Sequence, residues 1–231
     1  MADRAVIFDL DGTLVDTAPD LMRATNHVLA ELGRRPLSMN EVRVFVGHGA
    51  RALITRGLAA TGGLPTGFDV EPAYRAFVAY YADHICEGST VFPGLLPLLD
   101  RLTREGFGLG ICTNKLESLS VKLIETLGMS HYFGSVIGPD TLGIAKPDAR
   151  PFHEAVARLG LSRPLAVMVG DSETDILTAR AAGAPVLAVP FGYSPKPVAY
   201  YGPDKVIAHY DEGYAAIMDL FATARPAAAL T

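Results

Sequence analysis

Cysteine is scarce in this 231-residue sequence, which contains only Cys86 and Cys112. Two thiols make no disulfide framework, so an apolar core must hold the fold, and a chain of this length can bury one. Basic charge is also in short supply: 20 Lys and Arg against 25 Asp and Glu leave a net charge of −5. That balance excludes a broad basic surface for nucleic acid. At 19% charged residues, the chain lies below the roughly 25% of ordinary soluble domains, which argues against disorder. No apolar run approaches the roughly 18 residues of a membrane span. The opening Met1-Ala2-Asp3-Arg4 lacks a signal-peptide profile. Internal repeats and long low-complexity tracts are missing too, and the Pro-Ala-rich segment from Arg225 is expected to fray. The expectation is a soluble cytoplasmic protein with no nucleic-acid or membrane partner, either one large domain or one with a smaller companion.

What is present is a rhythm. From Pro93 onward, short apolar runs alternate with helical stretches. Strands are expected at 107–113, 135–138, 165–170, 185–190 and 205–208, and one more at Ala5 to Asp9. Helical spacing over 116–127, 151–159 and 173–182 ends in Gly128, Gly160 and Gly183, each a helix-stop signal. Continuous apolar strands separated by helices mean a parallel sheet covered on both faces. Residues 16–88 break the rhythm with four helical stretches, 21–32, 40–46, 50–60 and 72–85, and a Gly-Pro-Thr-rich loop at 61–69. Ser38 and Glu41 have capping-box spacing at a helix start. The chain therefore reads as an α/β core, residues 1–15 and 89–231, interrupted by an inserted helical unit, 16–88. The insert carries seven basic and eight acidic residues, so most of the acidic surplus falls in the core.

The polar residues gather at strand ends, where open α/β sheets bind ligands. The first strand runs into Asp9-Leu10-Asp11-Gly12-Thr13, with two carboxylates pointing the same way from extended backbone. Alone this is an Asp-Gly turn. A second strand stops at Thr113-Asn114, alone an ordinary helix cap. A third stops at Asp171-Ser172-Glu173-Thr174-Asp175, and Lys146 precedes Pro147 between them. Together, Asp9, Asp11, Asp171 and Asp175 would converge at one edge of the sheet. Crowded carboxylates raise each other's pKa unless a cation neutralises them. An all-oxygen site of this kind suits Mg²⁺, which leans on a substrate phosphate. Lys146, Thr113 and Asn114 suit phosphate oxygens. A reactive carboxylate, a metal and an anion cradle make a phosphoryl-transfer site.

These four motifs, Asp9-Leu-Asp-Gly-Thr, Thr113-Asn114, Lys146-Pro147 and Gly170-Asp171 with Asp175, resemble those of the haloacid dehalogenase superfamily over essentially the whole chain. The resemblance implies a Rossmann-like, doubly wound parallel sheet with residues 16–88 as an α-helical cap. Asp16-Thr17-Ala18-Pro19, the segment 46–53, Asn114-Lys115 and Phe191-Gly192-Tyr193 resemble the bacterial phosphoglycolate phosphatases within it. His48 stands where that group often has Asn between two glycines. The resemblance implies that Asp9 attacks phosphorus and forms an aspartyl-phosphate. Asp11 would protonate the leaving group and then activate water, while Thr113 and Lys146 hold the phosphoryl group. Asp9, the Asp11 carbonyl and Asp171 would hold Mg²⁺, supported by Asp175 and Ser172.

Gly47-His48-Gly49 leads into the helix expected at 50–60, and a helix N-terminus favours an anion. Arg51 in its first turn could add a bidentate contact. This loop is therefore expected to read the carboxylate of a small phosphate ester, 2-phosphoglycolate. Pyrophosphate, sugar phosphates and a mutase reaction stay open on the same scaffold, as does monomer or homodimer. Asp11 disfavours carbon–halogen chemistry, which needs no second carboxylate. Lys115, the first lysine in the chain, leaves the cap without the Schiff-base lysine of a phosphonate hydrolase. A non-catalytic binding protein is disfavoured by the completeness of all four motifs.

Overall fold

The structure is a computed structural model and describes residues 4–162 and 164–223; the segment expected to fray lies outside them. Its central sheet has six parallel strands: β1 (Arg4–Phe8), β4 (Gly108–Cys112), β5 (Ser135–Ile137), β6 (Leu165–Gly170), β7 (Val186–Ala188) and β8 (Lys205–Val206). Their order is β5-β4-β1-β6-β7-β8. β1 lies in the middle because it is apolar on both faces: Ala5 to Phe8 are wholly buried. Val6 and Phe8 face one side of the sheet, Ala5 and Ile7 the other, as the two-residue strand period requires. Helices α8 (Arg150–Ala157) and α9 (Glu173–Ala182) cover the Ala5/Ile7 side. On the other side pack α5 (Leu95–Arg104), α6 (Glu117–Thr126) and α10 (Gly213–Thr223). The short helix α7 (Pro139–Leu142) follows β5. The sequence pattern singles out neither α5 nor α10. In α5, Pro97 interrupts the apolar spacing, yet it sits in the first turn, where its missing N–H costs nothing.

The chain leaves the sheet after β1 and forms α1 (Ala18–Glu31), α2 (Met39–Phe45), α3 (Ala50–Ala60) and α4 (Glu71–Asp83) before returning. Their apolar faces meet through Leu21, Leu29, Leu53, Leu58 and Phe77. Where the two crossings meet, β2 (Val15–Asp16) and β3 (Thr90–Val91) pair antiparallel, a ribbon too short to show in the sequence pattern. The buried carboxylate of Asp20 accepts from Gly88 N (2.9 Å), Ser89 N (2.8 Å) and Ser89 Oγ (2.6 Å), tying the returning strand to α1. No helix among the described residues is long and apolar enough to cross a membrane.

Candidate active site

Register brings the strand ends level. Phe8 pairs with Ile111 on one side and Val169 on the other, so Thr113 and Asp171 leave the carboxyl edge within one residue of the level of Asp9. Carboxylate oxygens of Asp9, Asp171 and Asp175 all lie within 4.8 Å of one another, each group buried. Lys146 sits among them, its ammonium 2.9 Å from Asp9 Oδ1 and 2.6 Å from Asp175 Oδ1. Burial pushes the Asp9 carboxyl up to about 6; Lys146 opposes that rise while the charges of Asp175 and Asp11 add to it. Burial likewise pushes Asp171 well above the usual carboxylate range, helped by Asp175 and Asp9 and opposed by hydrogen bonds from Tyr193 and Thr13. Burial pulls Lys146 down, but Asp175 and Asp9 outweigh it and leave the ammonium more strongly protonated than usual.

Supporting contacts fix this cluster. Asp175 Oδ2 accepts from Asp171 N (3.2 Å), Ser172 N (3.0 Å) and Ser172 Oγ (2.7 Å), so it closes the start of α9 while its other oxygen faces Lys146. Asp171 accepts from Thr13 Oγ1 at 3.0 Å and Tyr193 N at 2.6 Å. Glycine is required beside it: a Cβ on Gly12 (φ +86°) would lie 2.6 Å from Asp171 Oδ2, and one on Gly192 would collide with the same carboxylate. Three buried carboxylates against a single lysine leave excess negative charge. That deficit, and a donor set made only of oxygen, fit a hard divalent cation held by Asp9 and Asp171 with Asp175 behind them.

Asp11 does not join this group. Its carboxylate turns away to accept from Thr17 Oγ1 (2.7 Å) and from Lys115 Nζ (3.1 and 3.2 Å). The four-aspartate convergence expected from spacing is thus a triad with a fourth carboxylate beside it, because a nearby cation captures Asp11. Thr113 is buried at the mouth of the site and accepts from Lys115 N at 3.2 Å. Asn114, expected on phosphate, is engaged with backbone at both ends of its amide. Its Nδ2 donates to Gly47 O (3.1 Å) and Lys146 O (3.3 Å), and its Oδ1 accepts from Lys146 N (2.9 Å). The side chain therefore links the loop before α3 to the Lys146 loop.

Between the helical insert and the sheet lies a cavity of about 360 Å³ that reaches Asp9, Asp11 and Thr113 on one side and Gly47, His48 and Gly49 on the other. Gly47 (φ +105°) and Gly49 (φ +83°) occupy the left-handed region, and Gly49 opens α3. Burial and nearby Arg56 hold the His48 imidazole below its usual pKa. Arg51 lines the cavity but its guanidinium is held by Glu71 Oε2 at 2.5 Å and lies over the Tyr74 ring, with its side chain 56% exposed. The expected bidentate partner of a ligand carboxylate is thus already paired with a carboxylate of the protein. A second cavity of about 400 Å³ runs behind Asp171 and Ser172, past His48, Arg56 and Tyr193. Burial pushes the Cys112 thiol up to about 12, as a packed apolar residue requires.

Sequence reasoning assigned no role to Lys115, Tyr81 or Tyr193. Lys115 Nζ donates to the Tyr81 hydroxyl at 2.8 Å as well as to Asp11. Tyr193 bonds Asp16 Oδ1 through its hydroxyl at 2.7 Å while its backbone N–H holds Asp171. For Lys115 a signal existed, since it follows Thr113-Asn114 directly. Tyr81 reads as core from its spacing alone.

With this geometry in place, the likeness to known proteins is specific. The model of the haloacid dehalogenase-like hydrolase family matches residues 6–189. A phosphoglycolate phosphatase of Caulobacter vibrioides is 46% identical over 203 residues, covering 87% of this chain and 85% of its own. One of Mesorhizobium japonicum is 42% identical over 211 residues, covering 91% and 93%. The crystal structure of a predicted phosphoglycolate phosphatase from Haemophilus somnus 129PT superposes with a TM-score of 0.86 at 29% identity, covering 93% of this chain and 97% of that one. Sheet order, strand-end aspartates and these matches agree: the chain belongs to the haloacid dehalogenase-like hydrolase family and, within it, to the phosphatases.

Proposed function

We propose that this phosphatase hydrolyses 2-phosphoglycolate to glycolate and phosphate, with residues 16–88 acting as the cap that closes over the substrate. The observation that carries the reaction type is the buried Asp9–Asp171–Asp175 triad around Lys146. The substrate reading is supported by relatives named phosphoglycolate phosphatase at 46% and 42% identity.

Asp9 attacks phosphorus in line with the leaving oxygen. The Asp9–phosphorus bond forms as the bond to the glycolate oxygen breaks, giving an aspartyl-phosphate that divides one difficult displacement into two. Asp11 stands two residues on and gives its proton to the departing alkoxide. It then takes a proton from the water that attacks phosphorus in the second step, which frees phosphate and restores Asp9. Lys146 and the Thr113 hydroxyl hold the equatorial phosphoryl oxygens, where charge is greatest in the transition state. Mg²⁺, held by Asp9, the Asp11 carbonyl and Asp171, would supply the positive charge that draws the substrate phosphate to an otherwise anionic pocket. Asp175 and Ser172 hold that arrangement from behind. Asn114 acts as a positioning residue, setting the Lys146 backbone. The Gly47-His48-Gly49 turn and the start of α3 enclose the glycolate end.

Phosphate release in Mg²⁺ over a panel of 2-phosphoglycolate, pyrophosphate, sugar phosphates and neutral alkyl phosphates tests the proposal. The highest kcat/KM is expected for 2-phosphoglycolate, with glycolate and phosphate as products in equal amounts. A flat profile, or a maximum on another ester, overturns the substrate assignment.

A further inference from the structure

Lys115 is a buried ammonium in the substrate cavity to which phosphoryl transfer gives no task. Its side chain is only 5% exposed and its Nζ lies 3.1 and 3.2 Å from the two Asp11 oxygens and 2.8 Å from the Tyr81 hydroxyl. It also lies 4.2 Å from the centre of the Tyr81 ring. A desolvated ammonium is costly unless it is paired. A structural ion pair could have been formed at less cost on the surface, yet this one opens onto the cavity.

The other cations near the cavity are engaged elsewhere. Among the described residues, Arg51 and Lys115 are its lysine and arginine lining groups. Arg51 is held by Glu71 and is more than half exposed to solvent. Lys146 is enclosed by Asp9 and Asp175. Elsewhere the wall is largely apolar, with Leu53, Phe77 and Leu119, and a carboxylate entering such a wall needs a cation partner.

Position selects Lys115 as well. In 2-phosphoglycolate the carboxylate carbon is two bonds from the oxygen that leaves phosphorus. The group that receives the carboxylate must therefore adjoin the group that protonates that oxygen. Lys115 touches Asp11, the residue placed at the leaving oxygen. The helix N-terminus at Gly49 lines the same cavity beside the Asn114 backbone, so it can meet the same carboxylate.

We propose that Lys115, braced by Tyr81, is the specificity-determining cation that receives the substrate carboxylate, so that the site favours phosphate esters carrying an anionic group two bonds from the leaving oxygen. This inference rests on the substrate reading above and names the residue that enforces it.

The test compares kcat/KM on 2-phosphoglycolate and on 2-hydroxyethyl phosphate, its neutral-tailed analogue, for wild type, Lys115→Met, Lys115→Arg and Tyr81→Phe, with thermal melts to establish folding. Losing one partner of a buried charge pair weakens binding by about 30-fold or more. Lys115→Met is therefore expected to lose about 10²-fold on 2-phosphoglycolate, mostly in KM as for lost ground-state binding, and at least tenfold less on the neutral ester. Lys115→Arg should recover part of the preference. Tyr81→Phe, which keeps the ammonium, should lower the preference about threefold to tenfold. If wild type prefers 2-phosphoglycolate but Lys115→Met and Tyr81→Phe lose equally on both esters, Lys115 only braces the boundary and the inference falls. If wild type shows no preference for the carboxylated ester, the substrate reading falls, and the inference with it.

Discussion

Two lysines hold two aspartates of one loop, in surroundings that differ. Lys146 pairs with Asp9 and Asp175 at the end of the sheet, where the partners come from the end of β1 and the first turn of α9 and the side chain is 1% exposed. Lys115 pairs with Asp11 where sheet and helical insert meet; Asp11 is 14% exposed, and the third partner, Tyr81, belongs to α4. The carboxylates at the sheet end are thus set mainly by the strands and the start of α9, with one tie to the insert through Asn114 and Gly47. The boundary is assembled from both layers and can respond to what lies between them. In the proposed function the nucleophile belongs to the first region, and the second joins the proton-transferring Asp11 to the residue proposed to choose the substrate.

Removing the nucleophile gives the largest effect. Asp9→Asn should lower kcat by at least about 10⁴-fold, the scale seen when a nucleophile is lost. The variant should melt no lower than wild type without metal, since it removes a buried carboxyl whose charged form is disfavoured. Steady-state turnover and a thermal melt check the two halves separately. Residual turnover near the wild-type value would move the nucleophile elsewhere.

Lys146→Met comes next and contrasts directly with Lys115→Met. It leaves three buried carboxylates within 4.8 Å of one another and no lysine among them. Breaking a buried pair in this way costs about 3–5 kcal/mol. Lys115→Met leaves the partly solvated Asp11, which keeps its bond from Thr17, and the buried Tyr81 hydroxyl without its lysine, so a smaller loss of about 2 kcal/mol is expected. Denaturant unfolding of the two metal-free variants measures the difference. Equal losses would remove the distinction between a closed sheet end and an open boundary.

The same crowding should make metal-free stability depend on pH. Asp9 rises from 3.8 to about 6, and Asp171 rises in the same direction. The native state therefore retains protons that the unfolded chain has released. Their stabilising contribution is complete below about pH 4 and is lost as pH rises through about 6, on the order of a few kcal/mol. Thermal melts from pH 4 to 7 in chelator should show this decline. Mg²⁺ should raise the melting temperature more at pH 7 than at pH 5, because it binds the ionised carboxylates that repel each other. A metal-free melting temperature that climbs steadily over this range would contradict the buried triad.

The sheet end was also the more legible region in the sequence. Continuous apolar runs such as Ala5 to Phe8 locate the central strands, and the polar residues that follow them must then lie at one edge. The boundary was less legible. Spacing places Arg51 in the first turn of α3 but does not show that Glu71, from another helix, will capture it. It places Asn114 after β4 but not the backbone of the Gly47 and Lys146 loops that takes up its amide. Tyr81 has the periodicity of a core residue and is one, apart from a hydroxyl that reaches Lys115. Periodicity fixes which face a residue occupies. The partner chosen across an interface depends on a second element, whose approach no local pattern encodes.

The smallest expected effect lies in the insert, away from both lysines. Ser38 Oγ accepts from Glu41 N at 3.3 Å while Glu41 Oε2 accepts from Ser38 N at 2.8 Å, a capping box at the start of α2. Ser38→Ala should cost about 1 kcal/mol. The same helix carries Arg43, whose guanidinium is 2.7 Å from Asp16 Oδ2 beside Tyr193. A route from α2 to the site therefore exists, and fraying at the start of the helix could travel along it. Capping, however, is confined to the first turn, and Arg43 lies beyond the capped residues, anchored by its own ion pair. Stability should fall with kcat/KM on 2-phosphoglycolate unchanged. A rise in KM as large as that of Tyr81→Phe would mean that the whole insert, and not the residues facing the cavity, sets the boundary.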